Sequence, residues 1–274
     1  MNGGSPSASR SRSAAGRAVA GFLFAGVPVL GSVVFSPLIA HPEQFHLYHL
    51  RRSGGHGVID WLLKHQPGNK VHYNQAIPLC PGSFQVAEEQ IVRIPGARDK
   101  PLFELISFED LPLNFVANKV HPSRHAVLML RDPFNTFASR MRTIENHRAH
   151  DVRGFAKVNR IVPALWKQYA HEFLHPRHLP HAVRLNFNAW YASVSYRRQI
   201  SEQLGWAFTD DGFASTAGWR FSCGSSFGDR DPKSLDLLNR WQAYRDHAEF
   251  LAYCDDEIRQ LSLEIFQFAP PLPR

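Results

Sequence analysis

Cysteine is scarce in this chain. Cys80, Cys223 and Cys254 are widely separated and odd in number, which excludes a disulfide framework and matches no zinc-ligand spacing. Histidine is more plentiful, at 15 residues, but is scattered through "HLYHL", "RHLPH" and "ENHRAH". No H-E-x-x-H or similar compact pattern forms, so no metal is expected. The G-x-x-x-x-G-K-[ST] spacing of a nucleotide triphosphatase is missing as well. Aromatic residues are not interleaved along a Lys/Arg stripe, so no nucleic-acid partner is expected either. No internal repeat is present.

What remains is the composition of a chain with a sizeable core. The 274 residues are 44% hydrophobic and 12% aromatic, enough for one domain, alone or with an N-terminal appendage. A formal charge of +7 by itself favours anionic partners: nucleotides, nucleic acid, acidic glycans or lipid headgroups.

The N-terminus differs from the rest. Residues 1–17 are rich in Ser, Gly and Ala, carry three arginines and no acid, and are expected to be disordered. Residues 18–40 then run without a charge, long enough to span a bilayer with the N-terminus cytoplasmic. Three readings are open: a membrane anchor, a cleaved signal peptide, or a start assigned too far upstream. Pro28, Pro37 and several glycines weaken a helix there. The expected division is 1–44 as appendage and 45–274 as the folded domain. The protein is membrane-anchored on the first reading and otherwise cytoplasmic.

Beyond Phe45, short β-rich runs alternate with amphipathic stretches. "FHLYHL", "KVHYNQA", "LFELISF" (102–108), "HAVLMLR" (125–131) and "HAVRLNFNAW" read as five strands. Helices are expected near Val58–His65, from Asp132-Pro133 onward, and in "IVPALWKQYAHEFLH", "YASVSYRRQISEQLGW" and "SLDLLNRWQAYRDH". The fourth, "HAVLMLR", is almost continuously apolar, and such a run suits a parallel sheet buried on both faces. The alternation predicts an open α/β fold whose ligands sit at the carboxyl edge of the sheet. Trp61, Trp190 and Trp241 read as core residues.

Three segments have parts suited to phosphate. In "RRSGGHG", Gly54, Gly55 and Gly57 permit close backbone approach, the following helix N-terminus presents N–H groups, and Arg52 and Ser53 add charge and a hydroxyl. Taken alone, this is as readily a plain strand-to-helix connection. In "LRDPFNTFASR", Arg131 ends a buried-looking strand and Ser139 follows on the next helix. The pair can grip one phosphate from two sides, or Arg131 can simply pair with Asp132. The third segment, "CGSSFGDRD", is a small-residue loop with Arg230 and Lys233 at or beyond its end.

Together these segments resemble the PAPS-dependent sulfotransferase family (PAPS is 3′-phosphoadenosine-5′-phosphosulfate), over about residues 45–245. The family's 5′-phosphosulfate loop commonly reads P-K-S-G-T-T. Here Arg52 takes the lysine position, Ser53 and Gly54 match, and Gly55 and His56 replace the threonines. "RDPFNTFAS" is similar to the family's 3′-phosphate motif at Arg131 and Ser139. Gly224, Ser225, Ser226 and Phe227, followed by "RW" at 240–241, resemble the C-terminal cofactor segment of bacterial-type members.

The resemblance implies a P-loop-like three-layer α/β/α fold with a central, mostly parallel sheet. It implies PAPS as sulfuryl donor and an acceptor hydroxyl or amine, with a glycan among the acceptor classes. Arg52 would neutralise the leaving phosphate, although an arginine is a poor proton donor. The family's base, His or Glu, lies near the end of the strand before the arginine strand. Glu109 in "LISFED" fits that separation; His121 in "NKVHP" is the competitor but lies close to Arg131. A P-loop kinase and a non-catalytic nucleotide binder are the alternatives.

Overall fold

The computed structural model describes residues 22–24, 27–29, 32–35, 44–80, 83–86, 88–92, 103–120, 123, 125–146, 159–214 and 236–273. A six-stranded sheet organises them. Its strands are β4 (Gln44–His49), β5 (Lys70–Asn74), β8 (Glu88–Val92), β9 (Phe103–Glu109), β10 (His125–Leu130) and β11 (Val183–Asn186). Their spatial order is β11-β10-β4-β9-β5-β8. Five strands run parallel, and only β8 pairs antiparallel, with β5.

The alternation of side chains along each strand sorts the core into two halves. Phe45, Leu47, Leu105, Val127, Met129 and Leu185 pack on one face. That face is covered by α1 (Gly55–Lys64), α5 (Phe187–Ala192) and α6 (Val194–Gln203). Tyr48, Ile106, Phe108, Leu128 and Leu130 pack on the other. There α3 (Pro133–Asn146), α4 (Val162–Leu174) and α9 (Asp256–Phe266) close the core. The result is the expected three-layer α/β/α arrangement. Trp61 and Trp190 are buried in the first layer, as anticipated, while Trp241 is half-buried.

Two smaller β-structures accompany the sheet. Strands β1 (Phe22–Phe24) and β2 (Val27–Val29) form an antiparallel pair. Strands β3 (Ser32–Phe35), β7 (Ser83–Val86) and β6 (Ile77–Cys80) form a three-stranded antiparallel sheet. The apolar run considered as a bilayer-spanning segment is therefore extended wherever it is described. Pro28, which lacks an N–H and fits an edge position, lies within β2. Among the described residues no helix is long and apolar enough to cross a membrane.

Several boundaries move relative to the sequence reading. Helix α1 begins at Gly55, three residues early, because the glycines enter the helix instead of ending a loop. "FNAW" leaves the fifth strand at Asn186, whose side chain caps α5 by accepting from Ala189 N at 3.1 Å. Of "SLDLLNRWQAYRDH", the described part forms only a short 3-10 turn, Arg240–Tyr244. Strands β6 to β8 and helices α8 (Ala248–Tyr253) and α9 were not anticipated.

Candidate anion-binding site

Strand β4 lies between β9 and β10. Its own connection leads toward β5 on one side, whereas β10 leads to β11 on the other, so β4 and β10 flank the point where strand order reverses. Open α/β sheets bind ligands at the carboxyl ends around such a point. Three segments meet here: the turn after β4, Glu109-Asp110 after β9, and Arg131-Asp132 after β10.

The turn after β4 is tight. Ser53 N and Oγ both donate to Leu50 O, at 3.3 and 2.5 Å. Arg52 (φ 65°) and Gly54 (φ 92°) adopt left-handed conformations, which for arginine costs about 1–2 kcal/mol. Glycine is required at the next two positions by contact as well. A Cβ on Gly54 would lie 2.2 Å from Phe187 Cε2, and one on Gly55 would lie 2.3 Å from His49 Cε1. Helix α1 then starts with no side-chain cap and no acid in its first turn, which leaves its positive end suited to an anion. His56 and Gly57, half-buried, belong to that first turn.

Arg131 is only 1% exposed. Its Nη1 donates to Arg52 O at 3.3 Å and its Nη2 to Leu237 O, while its guanidinium lies 5.2 Å from the centroid of the Phe187 ring. Its Nε has no hydrogen-bond partner among the described residues. Asp132, the acid beside it, is engaged elsewhere: it accepts from Asn135 N at 2.8 Å, from Asn135 Nδ2 at 3.0 Å and from Asn188 Nδ2 at 3.0 Å. The simple Arg131–Asp132 pair is therefore not formed. Burial pushes the Arg131 guanidinium down to about 10; nearby Asp132 opposes that shift and Arg52 reinforces it. A buried cation that donates to carbonyls and stands beside a second arginine is poised for an anion.

Ser139 is also 1% exposed. It accepts from Arg240 Nη1 at 3.4 Å, so the cation on this hydroxyl comes from the "RW" segment. Tyr191, on α5, senses both cations: burial and Asp236 raise its phenol, while Arg240 and Arg131 oppose.

Behind the turn lies a dense ionic group. Glu109 Oε1 is 3.4 Å from His49 Nε2, and Glu109 Oε2 is 3.5 Å from Arg51 Nε. Asp110 Oδ1 accepts from Arg51 N at 3.0 Å. Arg140 Nη1 reaches both Asp110 oxygens, at 2.9 and 3.0 Å, and Arg51 O at 3.1 Å.

The structure thus brings Arg52, Ser53, Gly54, Gly55, Arg131 and Glu109 to one sheet edge, with Ser139 beside Arg240. His121 and residues 224–227 (Gly224, Ser225, Ser226, Phe227) lie outside the described residues. The sequence reading passed over His49, Arg140 and Tyr191. Arg140 carried a signal: it is charged, yet it sits among Phe134, Phe137, Ala138 and Met141 on a helix that is buried from Pro133 to Met141.

The site belongs to an α/β protein that gathers cations at a switch point. No known protein-family profile matches the chain, and no curated protein matches it in sequence. Among solved structures, mouse sulfotransferase SULT7A1 complexed with PAP superposes with a TM-score of 0.48 at 13% identity, covering 84% of this chain and 87% of that one.

Proposed function

We propose that this protein is a sulfotransferase that moves a sulfuryl group from PAPS to a hydroxyl or amine of an acceptor, with a saccharide among the acceptor classes. One observation carries the reading: buried Arg131 has no carboxylate partner among the described residues and stands against the Arg52–Gly54 turn at the switch point. The resemblance of "RRSGGH" and "RDPFNTFAS" to the family's two phosphate motifs names the ligand as a nucleotide with phosphate at both ends.

On this reading the turn, Arg52 and the first turn of α1 hold the 5′ side. Arg131, Ser139 and Arg240 hold the 3′-phosphate. The acceptor oxygen attacks sulfur, the bond from sulfur to the bridging phosphate oxygen breaks, and Glu109 takes the acceptor's proton. Arg52 stabilises the charge that develops on the departing phosphate. Positioning and electrostatics do most of such work, as in phosphoryl transfer.

Arg52 in the lysine position favours a second reading, a nucleotide binder without transfer. Calorimetry with 3′-phosphoadenosine 5′-phosphate on wild type and Arg131→Ala tests both. Wild-type binding that Arg131→Ala abolishes supports donor binding, and the absence of wild-type binding overturns it. Binding without sulfation of any hydroxylated or amine acceptor selects the second reading. Binding of ATP with magnesium in place of the 3′-phosphorylated nucleotide points to a kinase.

A further inference from the structure

Arg131, Asn135 and Ser139 follow one another at every fourth residue, from the end of β10 into α3. The segment that enters the 3-10 turn lies across all three. Arg131 Nη2 donates to Leu237 O, and Arg240 Nη1 donates to Ser139 Oγ at 3.4 Å. Between them, Asn135 Nδ2 donates to Leu238 O at 2.8 Å, and Asn135 Oδ1 accepts from Trp241 N at 3.3 Å. One side-chain amide thus takes the carbonyl and the N–H on either side of Asn239 and Arg240, as a paired peptide group would.

The amide is itself held in one orientation. Its Nδ2 also donates to both oxygens of Asp132, at 3.0 Å each. Asp132 is fixed in turn by Asn135 N at 2.8 Å and by Asn188 Nδ2 of α5 at 3.0 Å. Turning the amide over would set its oxygen against a carboxylate and a carbonyl, which accept and do not donate. Asn135 is 0% exposed, so these bonds are not shared with bulk water.

The 3-10 turn needs such a hold. Its five residues are too few to fix their own place by helix formation. Asn239, which precedes it, makes no capping bond and turns its amide to Asp236 instead. The far end is anchored by Tyr244 Oη, which donates to Glu145 at 2.7 Å. Among the described residues no other side chain holds the backbone on both sides of Arg240.

We propose that Asn135 is a positioning residue: its amide clamps the Leu238–Trp241 backbone, delivers the Arg240 guanidinium to Ser139, and so sets the preference of the site for a 3′-phosphate. The clamp stands on the geometry alone, whereas the preference rests on the donor-binding reading above. Asn135 has no nucleotide contact on that reading and acts through Arg240.

Hydrogen exchange of the free protein tests the clamp without any ligand. The Trp241 amide should exchange slowly in wild type. In Asn135→Ala it should exchange at least roughly tenfold faster, while the amides of Phe137 to Met141 keep their wild-type rates. A fast Trp241 amide in wild type overturns the clamp whether or not the variant folds. An unchanged rate in the variant, or the same acceleration throughout α3, does so as well.

Calorimetry with 3′-phosphoadenosine 5′-phosphate and with adenosine 5′-phosphate reads the consequence. In Asn135→Ala the bisphosphate should bind roughly tenfold more weakly, with the monophosphate unchanged. Arg240→Ala should do the same, and the double variant should lose no more than either alone. Equal weakening of both nucleotides in Asn135→Ala, or losses that multiply in the double variant, overturn the positioning role. Wild type that binds neither nucleotide, or both alike, overturns the donor reading, and the exchange rates then decide the clamp by themselves.

Discussion

Arg140 and Asp110 hold the backbone of one residue, Arg51, at both its N–H and its carbonyl. Arg140 Nη1 lies 2.9 and 3.0 Å from the two Asp110 oxygens; Asp110 accepts from Arg51 N at 3.0 Å, and Arg140 donates to Arg51 O at 3.1 Å. The turn that holds the candidate phosphate loop is therefore fixed by a helix and a strand end distant in sequence. Asp110 does this from a left-handed conformation, φ 55°.

Breaking this pair should be costly. Asp110→Ala leaves Arg140, 0% exposed in its side chain, without its carboxylate, and an uncompensated buried charge costs about 3–5 kcal/mol. Arg140→Lys keeps the charge but has one nitrogen where the guanidinium serves Asp110, Arg51 O and Asn159. It should fold and bind 3′-phosphoadenosine 5′-phosphate at least about tenfold more weakly. Urea unfolding and calorimetry measure the two effects separately. Unchanged stability in Asp110→Ala would contradict the arrangement.

Gly54 faces a harder constraint than its neighbour. Its φ of 92° is unfavourable for any L side chain, and an added methyl would collide with the Phe187 ring at 2.2 Å. Phe187 cannot withdraw freely, because its ring also packs by the Arg131 guanidinium. Gly54→Ala should therefore cost at least about 2 kcal/mol. Gly55→Ala meets only the His49 side chain and lacks the positive φ, so it should cost less. Unfolding midpoints of the two variants give the order.

This contact also explains what the sequence did and did not disclose. The five parallel strands were legible because each is a short run holding β-prone residues near turn signals, and the cations at 52 and 131 stood out at the ends of such runs. The order of the strands was not, since pairing depends on which faces cover which helices. Phe187 read as strand because "NFNAW" is β-prone; Asn186, by capping Ala189 N, turns it into a helix and so carries the ring under Gly54. His49 looked like one more apolar-strand residue, and only its register with Glu109 reveals the pair. The hydroxyl of Ser139 was legible from its spacing after Arg131, whereas its neighbour Arg240 lies 101 residues on.

The approach to β11 rests on one carboxylate. Glu172 Oε1 accepts from the backbone N–H groups of Arg177, His178 and Leu179 at 2.9, 2.8 and 2.7 Å, and the residue is 4% exposed. Glu172→Ala should destabilise by about 1–3 kcal/mol, the cost of leaving buried donors unmet. Glu172→Gln retains an acceptor oxygen and should lose less. Because β11 leads into Phe187 and Tyr191, hydrogen exchange of residues 177–186 should rise in Glu172→Ala before exchange in β4 does.

Acid should weaken the fold through His46. Its ring is 2% exposed, packs edge-on against Phe108 5.5 Å away, and is held down to about 4 by burial. The unfolded chain takes up this proton near pH 6.5, while the folded protein resists it until about pH 4. The stabilisation is thus complete above about pH 6.5 and is lost as pH falls through that window, by about 3 kcal/mol in all. His46→Phe removes the titrating group and keeps an aromatic ring against Phe108. Urea midpoints followed from about pH 7 to about pH 4.5 should fall less steeply in this variant than in wild type. His65, lowered chiefly by its own burial, contributes in the same direction to both proteins, so the difference between the two curves isolates His46. Parallel curves would place the acid sensitivity elsewhere in the chain.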